Sequence, residues 1–169
     1  PVVTKMQSAF AIYHGEDEQV LFTTEVTANG MNNMDALRLC PMMFQEKLEK
    51  KLELRVTIVG KAVFAFSIDS QKLDNAKTDW RKEGRTMIND WQPYELPIPL
   101  QARLLAFMDA YGLNYGAIDL ILTPDDVYYF LEVNAAGEYF WLDRLCHYAI
   151  SRQIAAVLMD EAPRRLPRV

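Results

Sequence analysis

The feature of this sequence that most constrains its fold is a pair of apolar, β-branched runs separated by a turn signal. The runs are Gly116–Thr123 and Tyr128–Asn134, and Thr-Pro-Asp-Asp lies where the first run ends. β-branched and aromatic residues favour strands, whereas Pro and Asp favour turns. The stretch therefore predicts a β-hairpin.

Polar side chains interrupt this hairpin near its open end. Side chains alternate in direction along a strand, so Glu132 and Asn134 are predicted to share one face with Tyr128 and Phe130. Two of these four side chains carry ligand oxygens for a metal ion.

The turn predicts how Asp119 is placed against them. Pairing Leu122 with Val127 sets Asp119 opposite Phe130 and diagonal to Glu132, on the same face. Two carboxylates and an amide oxygen suit Mg²⁺, whereas the His and Cys ligands typical of zinc are missing here. The alternative is that the acids are solvated at a strand end, and three oxygen-bearing groups on one face favour the metal site.

At these residues the sequence resembles a known family. An Asp on one strand followed by Glu-x-Asn on the next is similar to the metal-binding end of the ATP-grasp ligases. The longer string DLILTPDDVYYFLEVNAAGEYFWLD resembles the peptide-modifying ligases that make microviridin-type ω-ester and ω-amide macrocycles, the graspetides. The resemblance implies ATP and Mg²⁺ as cofactors, with Asp119, Glu132 and Asn134 as metal ligands.

The resemblance also implies the fold class, which is α+β, with the C-terminal, two-lobed portion of the ATP-grasp fold. Residues 1–46 would form a small antiparallel sheet lobe. Residues 47–160 would form a larger antiparallel sheet with packed helices, and residues 161–169 a flexible tail. An N-terminal domain is expected to be missing, and the chain alone is expected to bind nucleotide weakly and to have little or no activity.

Periodicity places the other elements. The small lobe is predicted to have strands at Pro1–Lys5, Ala9–Tyr13 and Gln19–Val26, and a short helix at Met34–Cys40. The larger lobe is predicted to have a hairpin formed by Leu52–Val59 and Ala62–Ile68. It is also predicted to have two helices, at Leu100–Tyr111 and Leu142–Met159.

The resemblance assigns nucleotide-binding roles. Arg55 would contact the phosphates and act in catalysis, because a planar, always-charged guanidinium suits the oxygens of a transferring phosphoryl group. An ion pair with a neighbouring acid is an equally good interpretation of Arg55. The other cofactor-binding candidates are Lys5, Gln45, Glu46, Lys47 and Glu49, and the sequence does not separate Glu46 from Glu49 as the ribose ligand.

A long irregular segment, residues 69–99, contains Asp79-Trp80-Arg81. This element resembles the one that senses the precursor peptide in graspetide ligases. Arg81 would hold an acidic side chain of the peptide, and Asp79 would orient the region. The alternative is a surface ion pair beside a tryptophan anchor.

Composition excludes several classes of protein. A net charge of −5 argues against nucleic acid as a main partner. No apolar run reaches the length of a membrane span, and the start of the chain lacks the features of a signal peptide. Cys40 and Cys146 are predicted to be buried free thiols, which fits a cytoplasmic protein.

The predicted function is that of an ATP-dependent carboxylate ligase. It would activate Glu or Asp side chains of a ribosomal precursor peptide as acyl phosphates for ester or amide macrocyclisation. Its partners would be ATP and the peptide, and a homodimer is left open. The alternatives are another ATP-grasp carboxylate–amine ligase and a non-catalytic peptide-binding module.

Two residues depart from the family pattern. A proline usually follows the asparagine of Glu-x-Asn, and a glutamine usually follows the next glycine, whereas this sequence has Ala135 and Glu138. Loss of the proline is expected to loosen the turn beyond the metal site. The added carboxylate would either repel phosphate or recruit a second metal.

Overall fold

The computed structural model describes residues 1–6, 11–32 and 34–165, which form two compact units. The smaller unit contains Pro1–Glu49 and Ser70–Met87, and the larger contains Lys50–Asp69 and Ile88–Val169. Residues 70–87 therefore belong with the smaller unit and not with the predicted lobe 47–160. Two contacts join them to the rest of this unit: Asp79 Oδ2 accepts a hydrogen bond from the Thr23 N–H at 3.0 Å, and the Arg81 guanidinium carbon lies 6.0 Å from the centroid of the Phe22 ring.

The smaller unit combines short strands with short helices. Its strands and α-helices are β1 (Val2–Met6), β2 (Ala11–His14), β3 (Asp17–Val20), β4 (Thr24–Glu25), α1 (Ala28–Met31), β5 (Met42–Glu46) and α2 (Gly84–Met87). Strands β4, β1 and β5 form an antiparallel sheet in that order, and β2 pairs with β3.

Two predictions for this unit need correction. The strand predicted at Gln19–Val26 is two separate strands, and the helix predicted at Met34–Cys40 is a 3-10 helix at Met34–Arg38. Neither segment buries a large side chain fully, so tertiary packing does not enforce a regular element there. The start of the strand predicted at Ala9–Tyr13 lies outside the described residues.

The larger unit is built on a five-stranded antiparallel sheet in the order β10-β9-β6-β7-β8. Its elements are β6 (Leu52–Val59), β7 (Ala62–Ile68), β8 (Gln92–Pro93), α3 (Ile98–Tyr111), β9 (Tyr115–Leu122), β10 (Tyr128–Asn134), α4 (Phe140–Asp143) and α5 (Ala149–Leu158). The predicted α+β class is confirmed. The predicted hairpin of β6 and β7 is confirmed at both strands. The predicted helix α3 is also confirmed, and it ends at Gly112, where φ is 64°.

The continuous helix predicted at Leu142–Met159 is wrong. The chain passes through positive φ at His147 and Tyr148, with values of 52° and 61°, and this breaks the helix into α4, a 3-10 turn and α5. The apolar spacing continues across the break, which is why periodicity alone did not reveal it.

The two faces of the large sheet have different roles. One face forms the apolar core with α3, because alternate residues of β6 and β9 point toward that helix. The buried members of this core are Leu54, Val56, Ile58, Leu96, Leu104, Met108, Ile118, Leu120 and Leu122. The opposite face carries the intervening residues, among them Arg55 and Asp119.

The described part of the predicted flexible tail is anchored to the larger unit. Arg165 is buried, and its guanidinium donates to the Gly60 and Leu113 carbonyl oxygens and pairs with Asp109. Cys40 and Cys146 are free thiols, and both are half-buried rather than buried. Among the described residues, no helix is long and apolar enough to cross a membrane.

Candidate functional site

The candidate metal ligands are brought together by a β-bulge in β10. The hairpin turn pairs Tyr128 with Leu122 and Phe130 with Leu120, and the register then shifts so that Glu132 pairs with Asp119. Leu131 is the extra residue. The predicted register was therefore wrong by one residue at the turn and by two at the acids, and Glu132 lies directly opposite Asp119 rather than diagonal to it.

The bulge also changes which side chains share a face with the acids. Tyr128 and Phe130 pair with core residues, and Phe130 packs on Phe107 of α3 with ring centroids 5.1 Å apart. They were predicted on the acidic face and lie on the other one. Without the extra residue, Glu132 would follow them to the core face, because a one-residue slip reverses every side chain.

Three charged side chains consequently form a row across the sheet. Arg55 on β6 pairs with Asp119 on β9, which pairs with Glu132 on β10. Directly opposed Cβ atoms in such a sheet lie roughly 5 Å apart. In the next row, Asn134 pairs with Ala117 on the same face. The observed strand pairing thus places Asp119, Glu132 and Asn134 on one face, as predicted.

Arg55 is held by two neighbours. Its Nε lies 3.1 Å from Asp119 Oδ1, and its guanidinium carbon lies 5.7 Å from the centroid of the Trp141 ring. The side chains of Arg55 and Asp119 are 16% and 29% exposed. The ion pair foreseen as the alternative for Arg55 therefore exists, with a metal-ligand candidate as its partner, so the cation and the acid belong to one site.

The donor set fits Mg²⁺. It consists of two carboxylates and one amide oxygen, which are hard ligands, and Mg²⁺ typically takes one or two protein carboxylates and fills its other positions with water and phosphate oxygens. Among the described residues, no group of three or more His, Cys, Asp or Glu side chains could hold a metal ion. A site at this face therefore needs the asparagine or oxygens from a substrate.

Asn134 is oriented by the turn that follows it. The Ala136 N–H donates to Asn134 Oδ1 at 2.9 Å, and the Gly137 N–H donates to the Asn134 carbonyl oxygen at 3.2 Å. An amide oxygen has two lone pairs, so this contact fixes the side chain while a second acceptor position remains on the oxygen.

Sequence reasoning missed two residues that support this site. The Trp141 ring lies against the Arg55 guanidinium, and the Tyr115 hydroxyl donates a hydrogen bond to the Gly137 carbonyl oxygen. Strand alternation contained part of the signal, since Tyr115 lies four residues before Asp119 on the same face. No sequence pattern predicted the contact with Gly137.

The nucleotide-binding candidates of the smaller unit lie at strands β1 and β5. Lys5 pairs with Met43, and Gln45 pairs with Val3, which places Lys5 and Gln45 on one face of the sheet. Glu46 pairs with Val2, on the other face. Roles for these residues in nucleotide binding stay predictions.

The other two candidates of this region follow β5. Lys47 forms an ion pair with Glu25 at 2.5 Å, and Glu49 is exposed. Their roles toward a nucleotide also stay predictions.

Asp79 and Arg81 form a local, two-pronged ion pair. Arg81 Nε and Nη2 donate to the two carboxylate oxygens of Asp79 at 2.8 and 2.6 Å. Burial raises the pKa of Asp79, but Arg81 and the backbone N–H groups of Thr23 and Arg81 outweigh burial, so its pKa lies below the ordinary 3.8. The structure thus has Asp79 orienting Arg81. Peptide recognition by Arg81 stays a prediction.

Comparison with solved structures gives two high-identity matches. A RiPP-associated ATP-grasp ligase from Chryseobacterium gregarium, in complex with ADP and a leader and core peptide, is 53% identical with a TM-score of 0.94; the match covers 99% of this chain and 51% of that one. The macrocyclase MdnC from Microcystis aeruginosa, bound with its precursor peptide MdnA, is 45% identical with a TM-score of 0.79, covering 95% and 47%.

A more distant match shows the fold alone. The ATP-grasp ligase PsnB, complexed with a precursor variant, Mg and ADP, is 18% identical with a TM-score of 0.66. No protein-family model and no curated protein sequence matches the chain.

The high-identity matches agree with the sequence motifs and with the antiparallel sheet that carries them. The chain spans about half the length of these two ligases. Over nearly all of its own length, it belongs to the family of RiPP-associated ATP-grasp ligases and microviridin-type macrocyclases.

Proposed function

We propose that this chain is the part of a peptide-modifying ligase that holds Mg²⁺ and the phosphates of ATP. The observation that carries the proposal is the row of Arg55, Asp119 and Glu132 across three neighbouring strands, with Asn134 one row away on the same face. A bulge brings Glu132 to this face, so that both acids and the arginine meet in one row.

The reaction would join a carboxyl side chain of a ribosomal precursor peptide to a hydroxyl or amine of the same peptide. A Glu or Asp carboxylate oxygen attacks the γ-phosphorus of ATP, and ADP leaves. A Thr or Ser hydroxyl, or a Lys amine, then attacks the acyl carbon and loses its proton, and phosphate departs. Little covalent participation by the protein is needed, since positioning and charge stabilisation do most of the catalysis.

The residues of the larger unit have separate parts in this scheme. Asp119, Glu132 and Asn134 would hold the metal, which would neutralise phosphate charge. Arg55 would exchange its contact with Asp119 for phosphate oxygens, where a guanidinium stabilises the charge that develops during transfer. Trp141 limits the movement of Arg55 during this exchange.

The peptide partner is supported by relatedness. The two high-identity ligases were solved with peptides bound, one with a leader and core peptide and the other with its precursor. At 45–53% identity to those proteins, the substrate of the complete enzyme is proposed to be a ribosomal peptide of similar kind. The proposal includes both ester and amide products. The homodimer stays a prediction.

The test uses Glu132→Gln, which removes one negative charge and keeps the shape of the side chain. The chain is joined to the remaining half of the Chryseobacterium gregarium ligase and given ATP, Mg²⁺ and that ligase's leader and core peptide. ADP formation and loss of one water per bond in the peptide mass are measured. We expect Glu132→Gln to lower ADP formation by about 100-fold, the usual effect of removing one preorganised electrostatic group.

Asp126→Asn is the matched control. It also neutralises an acid of the same hairpin, but Asp126 is exposed and pairs only with Lys51 among the ion pairs described. It should retain the activity of the unsubstituted protein. Equal ADP formation by the Glu132→Gln protein would contradict the ligase proposal and favour a non-catalytic peptide-binding module.

A further inference from the structure

The turn after Asn134 has an anchor outside the row of charged residues. Tyr115 begins β9, and its hydroxyl donates to the Gly137 carbonyl oxygen. Gly137 in turn donates its N–H to the Asn134 carbonyl oxygen at 3.2 Å. The hydroxyl is therefore connected to the asparagine through a single residue.

Packing leaves the turn little room. A Cβ added at Gly137 would lie 2.5 Å from the Ala117 Cβ and 3.2 Å from the Asn134 Cβ. Ala117 is the residue that pairs with Asn134 across the hairpin. The turn backbone thus rests directly on β9, beside the residue pair that sets the direction of the asparagine.

The tyrosine is suited to act as a permanent donor. Burial raises the pKa of Tyr115, and the nearby Tyr139 raises it further against the opposing charge of Arg55. The hydroxyl consequently keeps its proton at neutral pH. The Tyr115 ring also packs near Tyr139, with centroids 6.1 Å apart, and this contact does not depend on the hydroxyl.

We propose that Tyr115 is a positioning residue for Asn134, acting through the carbonyl group of Gly137 to hold the asparagine oxygen toward the metal. This inference rests on the metal site of the proposed function. Ala135 lies in this turn, and its backbone lacks the fixed φ that a proline would impose. A flexible residue at that place leaves the turn to be fixed by side-chain contacts.

The first test measures metal binding without turnover. Mn²⁺ is titrated into the joined ligase described above in the presence of ADP, and free Mn²⁺ is followed by electron paramagnetic resonance. We expect Tyr115→Phe to weaken Mn²⁺ binding by roughly tenfold, as for other residues that orient metal ligands. Tyr94→Phe is the control, since it removes a partly buried hydroxyl whose partner is Tyr128, on the core face. It should bind Mn²⁺ like the unsubstituted chain.

The second test asks whether Tyr115 acts through Asn134. Combining Tyr115→Phe with Asn134→Ala should weaken Mn²⁺ binding no more than Asn134→Ala alone, since neighbours that act as one unit are not additive. Additive losses, or unchanged Mn²⁺ binding by Tyr115→Phe, would overturn the inference while leaving the metal site intact. Failure of the unsubstituted joined ligase to bind Mn²⁺ with ADP would overturn the metal site and this inference together.

Hydrogen exchange supplies a readout that needs no metal. The Ala136 N–H, bonded to Asn134 Oδ1, should exchange roughly tenfold faster in the Tyr115→Phe protein, because losing one hydrogen bond of about 1.4 kcal/mol opens the turn more often. The Tyr94→Phe protein should show no change at this amide. Unchanged exchange in the Tyr115→Phe protein would contradict the anchoring role.

Discussion

Asp119 in the larger unit and Asp79 in the smaller unit each form an ion pair with an arginine, but their surroundings differ. The Asp79 side chain is 5% exposed and takes two hydrogen bonds from the Arg81 guanidinium, one from the Arg81 N–H and one from the Thr23 N–H. The Asp119 side chain is 29% exposed, meets Arg55 at 3.1 Å and faces a second carboxylate, Glu132. The carboxylate of Asp79 is therefore buried by its hydrogen-bond donors, whereas the carboxylate of Asp119 is partly exposed.

The comparison teaches that an Asp–Arg contact alone does not identify a role. At Asp79 the arginine and the backbone donors satisfy a buried charge, which is the requirement for burying it at all. At Asp119 two acids lie side by side in one row with Arg55. This is the arrangement on which the proposed metal site rests.

The largest difference is expected in catalysis. Asp119→Asn should lower ADP formation in the joined ligase by about 100-fold, because it neutralises a proposed metal ligand. Its free energy of unfolding should change by less than about 1 kcal/mol, since a partly exposed ion pair contributes little. The measurements are ADP formation and urea unfolding, with Asp126→Asn as the control. Equal activity would remove Asp119 from the site.

The next difference concerns stability. Asp79→Asn should lower the free energy of unfolding by about 2 kcal/mol, the usual effect of losing buried hydrogen bonds to a charged group. This is a factor of about 30 in the folding equilibrium. Urea unfolding followed by circular dichroism checks the value. If Asp79→Asn and Asp119→Asn destabilise the chain equally, the contrast between the two aspartates is wrong.

The smallest effect is a pH dependence that belongs to Asp79. Its pKa in the folded protein is below the ordinary 3.8, so the carboxylate stabilises the fold above that pH, and the contribution is lost as pH falls through the folded value. The difference in unfolding free energy between the unsubstituted chain and Asp79→Asn should therefore be constant from pH 7 to about 5 and shrink in stronger acid. A gap that grows on acidification would contradict the assignment.

Local chemistry makes some of these features predictable from sequence. The hairpin of β6 and β7 follows from alternating apolar residues around a Gly-containing turn, and α3 follows from helical spacing that ends at Gly112. Each of these signals is contained within the element that it predicts. The local preference and the tertiary packing favour the same structure there, so the prediction succeeds. The sharing of one face by Asp119, Glu132 and Asn134 was predicted from strand alternation, but in the structure it depends on the bulge at Leu131, which the sequence did not predict.

Other features were not predictable because they depend on distant contacts. The break at His147 and Tyr148 interrupts a spacing that continues on both sides of it. The position of residues 70–87 with the smaller unit depends on the Thr23 hydrogen bond to Asp79, which joins residues 56 positions apart. Neither leaves a periodic trace in the sequence.

The sequence by itself determined which side chains this protein offers, namely two acids, an asparagine and an arginine on strands that must pair. The tertiary structure alone decided how they meet. A strand has a side-chain period of two, so one inserted residue, Leu131, reverses the face of everything beyond it. The bulge therefore places Glu132 beside Asp119, and the Tyr115 contact with Gly137 fixes the turn that carries Asn134.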